Sequence, residues 1–134
     1  MTDELIQSQI PIAAAMGLSI VTSGDASVTM RIPLSGNAND KGTLFAGSSY
    51  SALVLAGWML AMNHARTSGF ANPWAAIVDA HVHYAKPMRE DLVVTAVFAE
   101  PPNLVPGARN WAKIRVTAAD AILFDGTYAV GEKH

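Results

Sequence analysis

The chain has 134 residues, 51% apolar and 15% charged, enough for one buried core and too apolar for a disordered segment. A formal charge of −2 with no basic run excludes a nucleic-acid surface, and the absence of cysteine excludes disulfides, thiolate catalysis and cysteine-ligated metal. The start, Met1-Thr2-Asp3-Glu4, lacks the basic-then-apolar layout of a signal peptide, so a cytoplasmic protein of one domain, 1–134, is expected.

In chain order, Thr2 or Asp3 caps a short amphipathic helix carrying Leu5 and Ile6. Pro11 opens a second turn, Ile12 to Met16, which Gly17 closes. Leu18–Thr22 and Ala26–Ile32 read as strands joined by Ser23-Gly24-Asp25, and Pro33 ends the second. After Ser35-Gly36-Asn37 comes Asn39-Asp40-Lys41-Gly42-Thr43-Leu44-Phe45-Ala46-Gly47-Ser48, a polar turn-forming stretch that empties into an apolar run. From Tyr50 to Met62 apolar residues occupy every face of a helical wheel, which predicts a helix buried on all sides. It is too short for a membrane span, which needs about 20 apolar residues.

Three strand candidates and a closing strand follow. Ala76–Tyr84 alternates, with Val78, Ala80, Val82 and Tyr84 expected toward the helix and Asp79, His81 and His83 away from it. Leu92–Ala99 is valine-rich. Asn110–Thr117 puts Ala112, Ile114 and Val116 opposite Trp111, Lys113 and Arg115. Ala119-Asp120-Ala121 turns into Ile122–Val130. Helices and strands grouped apart in sequence predict an α+β fold, an antiparallel sheet wrapped around one long helix.

Four pieces together resemble the YiiD C-terminal thioesterase family of hotdog fold. They are Ile32-Pro33-Leu34, the Asn39–Ser48 stretch, Leu55-Ala56-Gly57-Trp58, and Tyr84-x-Lys86-Pro87. The resemblance implies a hydrolase of acyl thioesters, on CoA or an acyl-carrier protein. It implies a homodimer with sites at the subunit interface. The apolar faces of the valine-rich strands, with Trp74 and Trp111, lead to the expectation that two such pairs can join into a tetramer, and no cofactor or metal is expected.

Thioester hydrolysis needs donors for the developing oxyanion, a held water and a base. Free N–H groups of Ala46, Gly47 and Ser48 at the helix start are candidate donors, and Gly47 admits a carbonyl close to the backbone. Asn39 is the candidate that orients water or carbonyl; related hotdog enzymes carry Asn or Asp six residues before the place of Phe45. Asp40 is the only carboxylate beside it. Thr43, Phe45, Ala46, Ser49 and Tyr84 are expected to line the substrate site. Lys86, Arg89 and Arg109 are candidates for the CoA phosphates.

Two departures weaken the enzyme reading. The His-Gly-Gly and the core acid of phenylacetate-type hotdog enzymes are replaced by Phe45-Ala46-Gly47 and Val54. A non-catalytic acyl or acyl-CoA binding module is therefore the alternative. Asp79, His81 and His83 are a reserve set for a base, or for metal ligands, since His-x-His projects both rings the same way.

Overall fold

A computed structural model describes all residues, Met1–His134. The elements are α1 (Asp3–Gln9), α2 (Pro11–Ala15), β1 (Ser19–Ser23), β2 (Ser27–Ile32), α3 (Ala46–Thr67), β3 (Pro73–Tyr84), β4 (Leu92–Phe98), β5 (Asn110–Ala118) and β6 (Ile122–Glu132). One six-stranded antiparallel sheet runs in the order β1-β2-β4-β5-β6-β3, and α3 lies against it. This is the hotdog arrangement.

Local chemistry explains the short elements. The Thr2 hydroxyl accepts the Leu5 N–H at 3.2 Å and caps α1, while Asp3 Oδ1 accepts the Ile20 N–H at 2.7 Å and ties that helix to β1. Two helices end alike. At α2 the Leu18 N–H reaches the Ala13 carbonyl and Gly17 that of Ala14; at α3 the Phe70 N–H reaches Ala65 and Gly69 that of Arg66. Both are Schellman ends, with Gly17 at φ 66° and Gly69 at φ 97°, and with Leu18 and Phe70 buried next to them.

The helix is longer than the apolar run implies, 22 residues, because its polar last turns have work elsewhere. Asn63 Nδ2 donates to Ser23 Oγ and to the Gly24 carbonyl, both at 2.9 Å, and His64 Nδ1 meets the Asp25 carbonyl at 3.1 Å. These bonds fix the tip of the β1–β2 hairpin on the helix. The core is built from Leu53, Met59 and Leu60 of α3 against Met30, Val94, Ile114 and Phe124 of the sheet.

Burial of α3 on all sides is not what the chain builds. Tyr50, Ser51, Val54 and Trp58 form a stripe that its own sheet leaves exposed or half-exposed. At the end of the sheet, β3 has one edge free. The strand itself also departs from simple alternation. Ile77 pairs with Tyr128 and Asp79 with Thr127, so Val78 is an extra residue in a β-bulge and is 51% exposed. The helix-facing set is therefore Ile77, Ala80, Val82 and Tyr84, whose hydroxyl reaches α3, and not Val78.

Candidate functional site

The loop before α3 is held by Asn39. Its Oδ1 accepts the N–H groups of Lys41 (2.9 Å) and Thr43 (3.1 Å), and its Nδ2 donates to Thr43 Oγ1 at 2.8 Å. Backbone bonds between Asn39 and Thr43 (2.8 Å) and from Gly42 to Asn39 (3.1 Å) close the turn, with Gly42 at φ 76°. One turn upstream, buried Asn37 donates to the Met16 and Pro33 carbonyls at 2.8 Å each, and its own carbonyl accepts the Phe45 N–H. The loop is thereby locked onto α2 and β2, and it delivers the chain into α3 at a fixed angle.

At the helix start the N–H groups of Ala46, Gly47 and Ser48 meet no acceptor, and no side chain caps them. They are three fixed donors at the positive end of the helix dipole. Ser49, by contrast, is spent locally: its hydroxyl and its N–H both donate to the Phe45 carbonyl at 3.1 Å. Tyr84, at the end of β3, donates its hydroxyl to the Ala46 carbonyl at 3.2 Å. Burial, and then the nearby Tyr50, push the Tyr84 phenol above its ordinary value, so it stays a neutral donor.

These groups surround an open hollow of about 470 Å³. Asn39, Thr43, Ala46 and Ser49 form one wall; Tyr84, Lys86 and Arg89 form the other. Sequence reasoning did not place the others here: Lys41 at the rim, Ala85 and Pro87 in the wall, and Leu44, Met88 and Ile122, which give the hollow its apolar floor. The missed residues had a signal only in topology. The Leu44 N–H donates to the Met88 carbonyl at 2.9 Å, a bond between segments 44 residues apart that no local pattern announces.

Five expected site residues lie outside the hollow. Asp40 is exposed and does not line it. Gly47 and Ser48 adjoin it through the helix start without lining it. Phe45 turns out over Gly47, where a Cβ would meet the ring at 2.4 Å. Arg109 sits at the far end of the sheet, stacked 5.1 Å from the Trp111 ring and beside Trp74 and Glu132.

The reserve set is also elsewhere. Asp79, His81 and His83 project from the face of the sheet opposite α3. There His81 lies beside Asp125, which is ion-paired with Arg115 at 2.9 Å. No group of three His, Cys, Asp or Glu is arranged to hold a metal. The hollow itself is lined by no carboxylate and no imidazole of this chain. No helix is long and apolar enough to cross a membrane.

With this geometry in hand, comparison with known proteins is informative. The sequence profile described as "Putative thioesterase (yiiD_Cterm)" matches residues 2–131. A solved structure from Shewanella oneidensis, itself described as a "putative thioesterase", superposes with a TM-score of 0.84 at 25% identity, covering 95% of this chain and 92% of that one. A thioesterase-family protein from Silicibacter pomeroyi gives 0.77 at 16% identity (97% and 96% covered), and a thioesterase from Haemophilus influenzae 0.74 at 13% (97% and 90%). These last two speak for the fold alone. The match across nearly the whole chain, on a fold whose loop and helix start are built as described, makes this protein a member of the YiiD C-terminal thioesterase family.

Proposed function

We propose that the chain hydrolyses an acyl thioester carried by CoA or an acyl-carrier protein, with the thioester seated in the hollow at the start of α3. The observation that carries this reading is the hollow's composition. Ala46, whose N–H is unspent, stands at one end with the free N–H groups of Gly47 and Ser48 adjoining. An apolar floor of Leu44, Met88 and Ile122 lies below, and three cations, Lys41, Lys86 and Arg89, stand at the rim. Fixed N–H donors stabilise an oxyanion without reorganisation, and a phosphorylated carrier arm needs cations where it leaves the protein. Family membership supports a hydrolase.

The assembly is part of the proposal. The 12-residue edge strand β3 and the stripe Tyr50, Val54 and Trp58 on α3 are both left uncovered by this chain. Two copies joined about a two-fold axis cover both at once, giving an isologous dimer that can pair again into a tetramer. The base, absent from the hollow of a single chain, then comes from the second subunit. A stable monomer at micromolar concentration in sedimentation would overturn this assembly.

Two observations favour the second reading, a binding module without turnover. Both ends of the Asn39 amide are occupied within its own loop, and no acid or imidazole of this chain lines the hollow. Free-thiol release across a panel of acyl-CoA chain lengths decides between them. Release selects the hydrolase, and tight binding without release selects the module.

A further inference from the structure

The segment Lys86-Pro87-Met88-Arg89 is a wall with a hollow on each side. On one side lies the hollow at the helix start; on the other, a second one of about 360 Å³ is lined by Glu90, Ala119, Asp120 and Ala121. The wall is tied down by the Ala85 N–H to the Ala121 carbonyl at 2.7 Å and by the Met88 carbonyl to the Leu44 N–H. The cations around the first hollow are not equivalent. Lys41 and Arg89 have no acidic partner, whereas Lys86 Nζ donates to Asp120 Oδ2 at 2.9 Å. That bond holds the ammonium toward the second hollow, where Glu90 also stands.

We propose that Asp120 is a built-in competitor for substrate phosphate: it occupies Lys86 and so sets the affinity for thioesters with a phosphorylated arm. The inference rests on the reading of the hollow as an acyl-thioester site. Both partners are largely exposed, Lys86 at 56% and Asp120 at 79%, so water screens the pair and the four-carbon stem can swing to the other side of the wall. A phosphate dianion offers more charge and more acceptor oxygens than one carboxylate. Asp120 itself is positioned by the tight β5–β6 turn, in which Ala119 takes φ 47° and the Ala121 N–H donates to the Ala118 carbonyl at 3.0 Å. The Lys86 bond, and then its own backbone N–H, hold the Asp120 carboxyl below the usual range, so it competes as an anion at any working pH.

The test is calorimetric binding of three non-hydrolysable thioether probes carrying the same acyl group, on CoA, on phosphopantetheine and on pantetheine. At low ionic strength Asp120→Asn is expected to tighten the CoA probe by about two- to fivefold, the size of one exposed ion pair. The pantetheine probe should not change. The gain should shrink with added salt and vanish in a Lys86→Ala background. A gain on CoA alone supports the nucleotide as the phosphate source, and an equal gain on phosphopantetheine supports a carrier-protein arm. No gain, an equal gain on pantetheine, or a gain that persists without Lys86 overturns the proposal. Thiol release measured alongside keeps the hydrolysis reading separate, since binding can tighten in a protein that releases no thiol.

Discussion

Two glycines on the same helix, Gly57 in its middle and Gly47 at its start, show how one residue type serves opposite ends. A Cβ at Gly57 would sit 2.3 Å from the Tyr128 hydroxyl, which is fully buried and donates to the Val54 carbonyl at 2.7 Å. A Cβ at Gly47 would sit 2.4 Å from the Phe45 ring, which is 54% exposed. The first neighbour has nowhere to go; the second turns out into solvent. Gly57 belongs to the core and Gly47 to a surface where something else can arrive.

The largest effect follows from the closed end. Gly57→Ala forces Tyr128 off its place and strands a buried hydroxyl. Overpacking and the lost bond outweigh the gain in helix propensity, for a net cost of about 2–4 kcal/mol. Thermal denaturation should show Tm lower by roughly 10 °C. Adding Tyr128→Phe removes the nearest clashing atom and leaves ring carbons at 2.7 and 2.9 Å, so it should recover part of the loss as a coupling energy between the two sites. Simple additivity in that cycle would mean that the glycine serves something other than the tyrosine.

The second effect is on turnover, at the open end. Asn39→Ala is expected to cost on the order of a hundredfold in turnover if its amide orients water or carbonyl, the size of one polar group acting on a transition state. The structure supplies a control. Thr43→Val removes the 2.8 Å bond from Asn39 Nδ2 without removing the amide. A loss of less than about fivefold there, against the hundredfold of Asn39→Ala, keeps Asn39 in the chemistry. Equal losses would make Asn39 a loop residue only, and Asn39→Asp, which keeps the acceptor for Lys41 and Thr43, would then be tolerated.

What the sequence disclosed divides along the same line. The caps at Thr2 and Gly17 and the alternation in β5 are local signals and survive in the fold. The bulge at Val78 has no local signal: the residues on either side alternate, and only pairing with β6 shows that one is extra. The same holds for the site. Asn39, Thr43, Ala46 and Ser49 are near in sequence and do share one hollow, and the Tyr84–Arg89 wall reaches it by topology. Arg109 looked equivalent as a cation at a strand start, but β5 runs so that this start lies at the far end of the sheet.

Alkaline pH offers a smaller effect that again separates the two ends. Burial, and then the charge of Tyr50, push the Tyr128 phenol far above tyrosine's ordinary value. The folded protein therefore holds the neutral form while the unfolded chain ionises near pH 10. Stability from this group is complete below about pH 10 and is lost as pH rises further. Urea midpoints between pH 8 and 11 should fall at the top of that range. Tyr128→Phe should flatten most of the decline, leaving the half-exposed Tyr84 as a minor contributor. An unchanged slope would place the alkaline sensitivity elsewhere.

The smallest structural effect is expected at Gly47. Because Phe45 can rotate away, Gly47→Ala should change stability by less than about 0.5 kcal/mol, the range of an ordinary surface substitution, and Tm by no more than roughly 2 °C. Function is a different matter. The unspent N–H groups of Ala46, Gly47 and Ser48 are useful only if a carbonyl can reach them, and a branched side chain at Gly47 stands in that path. Gly47→Val should abolish thiol release while sedimentation and Tm stay close to wild type. Phe45→Ala in the same background tells displacement from blockage: if activity returns, the displaced ring was the obstacle, and if it does not, the side chain at residue 47 was. Unfolding of Gly47→Val would give this glycine the same role as Gly57 and remove the contrast between the two ends. Full activity would show that the reacting carbonyl does not approach the helix start at all.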